Sequence, residues 1–157
     1  MEMENLNVVL YNVHSSQKIK EITKLLIGFD LNSIIIARAL GSAAQEGVPD
    51  ANKLAIKNDK NILYLKDLPD VMDIIKPSKV YVFAPKPYGK NEFNPSEIIQ
   101  ELKNNEKILL IFGGSAPGLS KRELDMGIPT YINTPKDVGT TGTIAIALYE
   151  IYSRQKI

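Results

Sequence analysis

The sequence predicts an α/β fold with a mostly parallel sheet flanked by helices, and three observations carry that prediction. Short apolar stretches alternate with amphipathic helical stretches from one end of the chain to the other, the order expected of repeated strand–helix–strand units. The apolar stretches are continuous Val/Ile/Leu runs, as suits strands covered on both faces. At 157 residues, 44% of them hydrophobic, the chain is long enough for one domain with a substantial core and too short for two ordinary ones.

Taken in order, the strands are expected at Asn7 to Tyr11, Ser33 to Ala37, Asn61 to Leu65, Lys79 to Ala84, Lys107 to Phe112 and Thr130 to Ile132. A first helix follows Ser15 or Ser16 as N-cap, with Ile19, Ile22 and Leu26 on one face. Gly41 to Asp50 reads as a mobile loop. Leu68 to Ile75 makes a short helix stopped before Pro77. Asn94-Pro95-Ser96-Glu97 combines a capping residue, a proline at the first helical position and a glutamate two residues on, a strong helix start. Ser120 and Glu123 form a second capping box, in a helix ended by Gly127. The last helix, Thr141 to about Ser153, is apolar nearly all round its first two turns and is expected to be buried.

Composition narrows the function classes. No apolar run approaches the roughly 20 residues that span a bilayer, and the acidic start from Met1 to Asn5 lacks a signal-peptide pattern, so a cytoplasmic protein without membrane contact is expected. The absence of cysteine removes disulfides, zinc–thiolate sites and cysteine nucleophiles together. With one histidine, any metal site would need carboxylates, and none is assigned. A formal charge of +1 exerts no global pull on nucleic acid, so RNA binding would need a local basic patch. Abundant Ile, Lys and Glu without Trp suits a thermophile.

Chemistry concentrates between Lys107 and Tyr152. A buried strand runs into the turn GGSAPGLS, Gly113 to Ser120, then an Ile-Pro strand, then a Gly/Thr loop at Gly139 to Thr143 that opens the last helix. Glycines in such turns let backbone approach a ligand closely. The plain alternative is a pair of β-to-α turns with nothing bound. A phosphate-binding loop of the Walker type fails because Leu119 stands where lysine is needed, and a dinucleotide fingerprint fails because Ser115 replaces its middle glycine.

Other strand ends offer candidates as well. His14 lies beside Ser15 and Ser16 at a helix start, either as a base or phosphate ligand or simply packed there. The loop Ala84-Pro85-Lys86-Pro87-Tyr88-Gly89-Lys90 carries two cations and an aromatic, suited to stacking a base and binding phosphate or to being a solvated connector. Lys18, Lys20 and Lys24, like Lys53, Lys57 and Lys60, have helical spacing and read as a solvated face or an RNA track.

The order of these elements resembles the C-terminal half of the SPOUT superfamily, trefoil-knotted RNA methyltransferases that use S-adenosylmethionine, here in an archaeal type of branch. The matching residues are Gly113, Gly118 and Leu119, then Ile128 and Pro129, then the Gly139 to Thr143 loop and a helix ending Leu148-Tyr149-Glu150. Tyr11 to Asp30 also resembles the superfamily's first strand and helix. Ser115 stands where the family usually has Glu, and Gly139 or Thr140 where it has Asn. Ile22 falls at the position that often carries a catalytic arginine.

The resemblance implies a C-terminal knot, which no periodicity argument could predict, a homodimer, and methyl transfer to RNA. It implies an S-adenosylmethionine site formed by Ala84, Gly113, Gly114, Ser115, Gly118, Ile132, Thr134, Gly139, Thr140, Thr141 and Gly142. His14 and Lys20 are the candidate catalytic residues. Two other classes stay open: a catalytically silent protein that binds RNA or a nucleotide, and a metal-dependent nuclease using Asp50 with Lys53, or Asp70 with Asp73.

Overall fold

Continuous apolar runs need cover on both faces, and the chain supplies it by sending its helices to both sides of one sheet. The computed structural model describes residues 2–115 and 118–155; of the turn Gly113 to Ser120, residues 116 and 117 lie outside them. The strands are β1 (Leu6–Val13), β2 (Ser33–Ala39), β3 (Asn61–Leu65), β4 (Lys79–Phe83), β5 (Asn91–Glu92), β6 (Ile108–Gly113) and β7 (Ile128–Tyr131). The helices are α1 (Ser16–Gly28), α2 (Val48–Lys57), α3 (Leu68–Ile75), α4 (Pro95–Lys103), α5 (Lys121–Leu124) and α6 (Gly139–Gln155). Among the described residues the sheet has the order β3-β2-β1-β6-β4-β7-β5, and every pairing in it is parallel.

Side-chain alternation splits the core in two. Val8, Leu10, Ile34, Ile36, Leu110 and Phe112 point to the layer of α1, α2, α4 and α6. Val9, Ile35, Val82, Leu109 and Ile111 point to the layer of α3 and α5. Phe112 stacks on Phe83 with ring centroids 4.6 Å apart, a pair worth about 1 kcal/mol beyond its buried area. The expected caps are present: Ser15 accepts from the Lys18 amide, and Asn94 from the Glu97 amide. Among the described residues no helix is long and apolar enough to cross a membrane.

Two expectations need correction. Gly41 to Asp50 is not a loop: Ala43–Gly47 forms a π-helical turn that runs directly into α2. Gly47 makes this possible, because a Cβ there would sit 3.0 Å from the Ser16 Cα of α1. Pro49 and Asp50 in the first turn of α2 are ordinary helix-start residues. The last helix is buried on one side only. Ile144, Ala147, Leu148 and Ile151 enter the core while Tyr149 is 60% exposed, and Ala145 and Ile146 are half-buried. β5 is a further short strand, pairing Asn91 with Thr130 at the sheet edge.

A polar clamp joins the helices of the second layer. Asp67 caps α3 through the Leu68 amide at 2.8 Å, and Arg122 Nη2 of α5 donates to its other oxygen at 3.0 Å. Glu123, 6% exposed, accepts from both the amide and the hydroxyl of Ser120, at 2.8 and 2.7 Å. Burial raises the Asp67 carboxyl, but the Leu68 amide and the Arg122 guanidinium outweigh it and hold the group below its ordinary value. Burial, then the Glu123 and Asp67 charges, push the neighbouring Tyr11 phenol up. Because the folded Asp67 value lies below the unfolded one of about 3.9, the clamp stabilises the fold above that pH and is lost as pH falls through the folded value. Asp67→Asn should therefore lower stability at neutral pH and flatten its decline below about pH 4. Denaturant titrations at neutral and acid pH measure both effects, and a variant with the parent's pH profile would remove the clamp from the account.

Candidate functional site at the carboxyl ends of the central strands

The centre of the sheet is where β1 and β6 lie side by side, Tyr11 opposite Gly113. The chain leaves β1 for α1 in one layer and leaves β6 for α5 in the other. Neighbouring strands that diverge in this way open a crevice beyond their carboxyl ends. Backbone contact closes its floor. The Gly114 amide donates to Tyr11 O at 2.7 Å, and a Cβ on Gly114 would stand 2.7 Å from Val13 Cβ, so only glycine fits there.

Three other segments are tied to this point. The His14 amide donates to Ser115 Oγ at 3.0 Å. Lys18 Nζ, in the first turn of α1, donates to Gly114 O at 2.9 Å. Thr140 Oγ1, in the first turn of α6, donates to Gly113 O at 2.7 Å. The Gly118 amide donates back to Ser115 O at 2.8 Å, and Gly118 then leads into the Ser120–Glu123 cap described above. The turn after β6 is thus gripped from both layers.

The wall on the β7 side is built from the other expected residues. Ala84 follows β4 and its amide donates to Thr130 O at 2.9 Å. Thr134 Oγ1 donates to Lys136 O, and the half-buried Ile132 packs on the core. Asp137 Oδ1 accepts from the Gly139 amide at 2.9 Å and starts α6. Gly139 to Thr143, expected as a loop, is therefore the first turn of this helix, with Thr141 and Gly142 half-buried in it. Gly118 and Gly139 have φ values of +94° and +79°, and among the described residues beyond their chain neighbours no atom lies within 4 Å of where their Cβ atoms would be. Backbone at both is bare toward open space.

The candidate catalytic residues divide. His14 is in place at the end of β1, its side chain exposed and its carbonyl accepting from Ser42 Oγ at 3.3 Å. Lys20 faces elsewhere and pairs with Asp50 of α2 at 3.7 Å. Lys18 is the cation that reaches the turn, and the expectation of a solvated face missed it. The signal was available: Lys18 is three residues from the N-cap, and side chains of a first helical turn point back toward the preceding strand end. Lys60 likewise pairs with Asp30. Beside the crevice, Asn12 and Arg38 both adopt left-handed backbone, φ 59° and 56°. The register resumes at Val13 opposite Ala39, so β1 and β2 kink together. Asparagine tolerates this conformation; for arginine it is an uncommon one.

Metal chemistry finds no such gathering. Among the described residues no three His, Asp or Glu side chains converge to hold an ion. Asp50 is paired with Lys20, and Asp70 accepts from the Asp67 amide at 3.2 Å as part of the α3 cap. Asp67 and Glu123, whose charges act on Tyr11, are engaged in the clamp, and Asp137 caps α6.

Comparison with known proteins gives two results. By structure, the chain is similar to a protein from Neisseria gonorrhoeae solved as a "putative methylase family protein" (TM-score 0.78, 14% identity, covering 99% of this chain and 85% of that one). It is also similar to the SpoU methyltransferase AviRb from Streptomyces viridochromogenes, solved with the cofactor AdoMet (TM-score 0.71, 14% identity, covering 98% and 62%). The chain thus shares the α/β fold of these solved proteins. By sequence, the chain is 32% identical over 149 residues to a protein of Methanocaldococcus jannaschii named "Putative type II restriction enzyme MjaORF1200P", covering 95% of this chain and 97% of that one. The family described as "RecB-family nuclease (DUF2122)" matches residues 41–150. The chain belongs to this family, and its fold is one that solved methyltransferases share.

Proposed function

We propose that the crevice binds S-adenosylmethionine and that the protein transfers the methyl group to RNA. The observation that carries this reading is the convergence on Gly113 and Gly114 of β1, β6, α1 and α6, beside two glycines whose missing side chains leave backbone open. The residues fit the cofactor in kind. Ser115 and Gly118 on one wall, and Thr140, Thr141 and Gly142 in the first turn of the 17-residue α6 on the other, offer peptide groups to a polar ring edge or a carboxylate. Gly114 and Gly139, whose amides are engaged by Tyr11 O and Asp137 Oδ1, allow close approach without a side chain. Ala84, Ile132 and Thr134 would border the bound molecule. A site built from backbone does not need the Glu that Ser115 replaces or the Asn that Gly139 or Thr140 replaces.

When bound, the cofactor supplies a methyl group already activated by its sulfonium, so the protein's main task is alignment. Lys18 places a positive charge at the turn, where it can orient an acceptor or its phosphate. His14, exposed at the end of β1, is positioned to take a proton from an acceptor hydroxyl or amine. The same reading includes the trefoil knot and a homodimer. The apolar surface left uncovered on α6, Ala145, Ile146 and Tyr149, supports the latter. The names of the sequence relatives favour a nuclease instead, but a metal-assisted one needs converging donors, and among the described residues no three His, Asp or Glu side chains converge.

Calorimetric titration should give micromolar S-adenosylmethionine binding and no comparable response to ATP, NAD, magnesium or manganese. Gly142→Asp should abolish binding while the protein stays folded, since an acid in a first helical turn is tolerated and the Val138 side chain 3.2 Å from its Cβ is exposed. Gly118→Asp should do the same, at some cost in backbone strain. Response to the metals alone, or unaltered binding by both variants, would overturn the assignment.

Turnover separates the two side chains. His14→Ala and Lys18→Ala should each keep cofactor affinity and lower the methylation rate about a hundredfold, with Lys18→Arg retaining most of it. A His14→Ala rate equal to the parent's would return His14 to a structural role.

A further inference from the structure

We propose that Tyr88 is a stacking platform for one unpaired base of a single-stranded nucleic acid, with Lys90 beside it for a phosphate. This rests on the function proposed above for the substrate class, but on separate observations for the site. The segment between β4 and β5 is fastened at both ends to β7. The Ala84 amide donates to Thr130 O at 2.9 Å, the Lys90 amide to Pro129 O at 3.2 Å and the Phe93 amide to Tyr131 O at 2.9 Å, and Asn91 Nδ2 also reaches Pro129 O at 3.0 Å.

Inside the loop the amides of Tyr88 and Gly89 both donate to Pro85 O at 3.0 Å. Gly89 is pressed onto the sheet so closely that a Cβ would lie 2.3 Å from Ala84 O and 2.8 Å from Tyr131 Cβ. Lys86 covers the Tyr131 ring with its Nζ 4.5 Å from the centroid. Two prolines, a buried glycine and a cation–π contact thus hold the loop in one shape, and what that shape presents to solvent is Tyr88, 62% exposed.

Tyr88's side chain and the Lys90 ammonium have no partner among the described residues. An aromatic ring left in water on a stiff mount does nothing for the core, yet it is the arrangement that binds a flat ligand with little loss of side-chain freedom. Bases stack on such rings regardless of sequence, and cations alongside follow the backbone. Residues 84–92 carry Lys86 and Lys90 against one acid, Glu92. In a chain of net charge +1 this is the local positive patch that nucleic-acid binding requires. The loop packs on Thr130 and Tyr131 at the end of β7, so a base on Tyr88 lies beside the crevice rather than in it.

Fluorescence anisotropy on the intact chain tests this, with labelled RNA and DNA single strands of about 12 nucleotides, within the span such a site covers, and the matching DNA duplex. The single strands should bind better than the duplex, and Tyr88→Ala should weaken them about tenfold while Tyr88→Phe does not. Lys90→Gln should weaken binding evenly across sequences and lower the salt slope by about one. Preference for RNA over DNA would identify the source of the strand. Equal affinity of Tyr88→Ala and parent, or a duplex preference indifferent to Tyr88, would overturn the platform. S-adenosylmethionine titration of the same samples reads the cofactor assignment independently: strand binding that depends on Tyr88 without cofactor binding would sink that assignment and leave the platform standing.

Discussion

The pairing of β1 with β6 is the constraint on which the rest of the molecule depends. These strands are distant in sequence, and in register they bring Gly114 against Val13 with no room for a Cβ. From that contact the other positions follow. His14 meets Ser115, Lys18 reaches Gly114 O from α1, and Thr140 reaches Gly113 O from α6. A slip of one residue in this register would also exchange the two faces of β6, turning Phe112 and Leu110 away from their layer. Packing and site geometry are therefore set by one alignment.

The two layers contribute differently to holding the crevice. On the α1 and α6 side, apolar burial positions the helices and each adds one hydrogen bond to the turn. On the other side α5 is only four residues long and cannot bury much surface. Its placement depends on charge: Arg122 to Asp67 of α3, and Glu123 to Ser120 within its own cap. Exposed ion pairs contribute little, but Glu123 is buried and charge-assisted bonds to a cap are stronger than neutral ones. A short helix with such a clamp can hold a turn in place while leaving its backbone uncovered.

Much of this was legible in the sequence. Leu68–Ile75 and the caps at Ser15, Asn94 and Ser120 lie where propensity and capping chemistry put them, because those signals are local. Gly41 to Asp50 departs from the expected loop because a glycine that suggests a loop can equally sit in a helix packed too tightly for a side chain, and only the neighbour, Ser16, decides which. The same non-locality hid Lys18: spacing alone places Lys18, Lys20 and Lys24 on one helix, while their partners, Gly114 O for the first and Asp50 for the second, come from elsewhere in the chain. Asp67 with Arg122 and the packing of Gly89 on Tyr131 are further contacts between residues far apart in sequence, beyond the reach of any local pattern.

The family's sequence and the fold's neighbours point to different chemistry, and the demands of each reaction bear on the choice. Metal-assisted cleavage depends on side chains: several oxygens or nitrogens must converge within coordination distance and stay uncommitted to other partners. Here Asp67, Asp70 and Glu123 are engaged in caps and a clamp. Methyl transfer from a sulfonium depends on alignment, and the cofactor's polar edges can be met by peptide groups that no substitution removes. Under the proposed reading, a lineage could exchange the acid of such a pocket for Ser115 and its amide for Gly139 or Thr140 and keep the site, provided the glycines and the β1–β6 register survive. Conversely, the loss of a single metal ligand would end a nuclease. The backbone geometry at Gly114, Gly118 and Gly139 is the feature of this chain that tolerates such exchange, and it is the feature the fold holds in place from both layers.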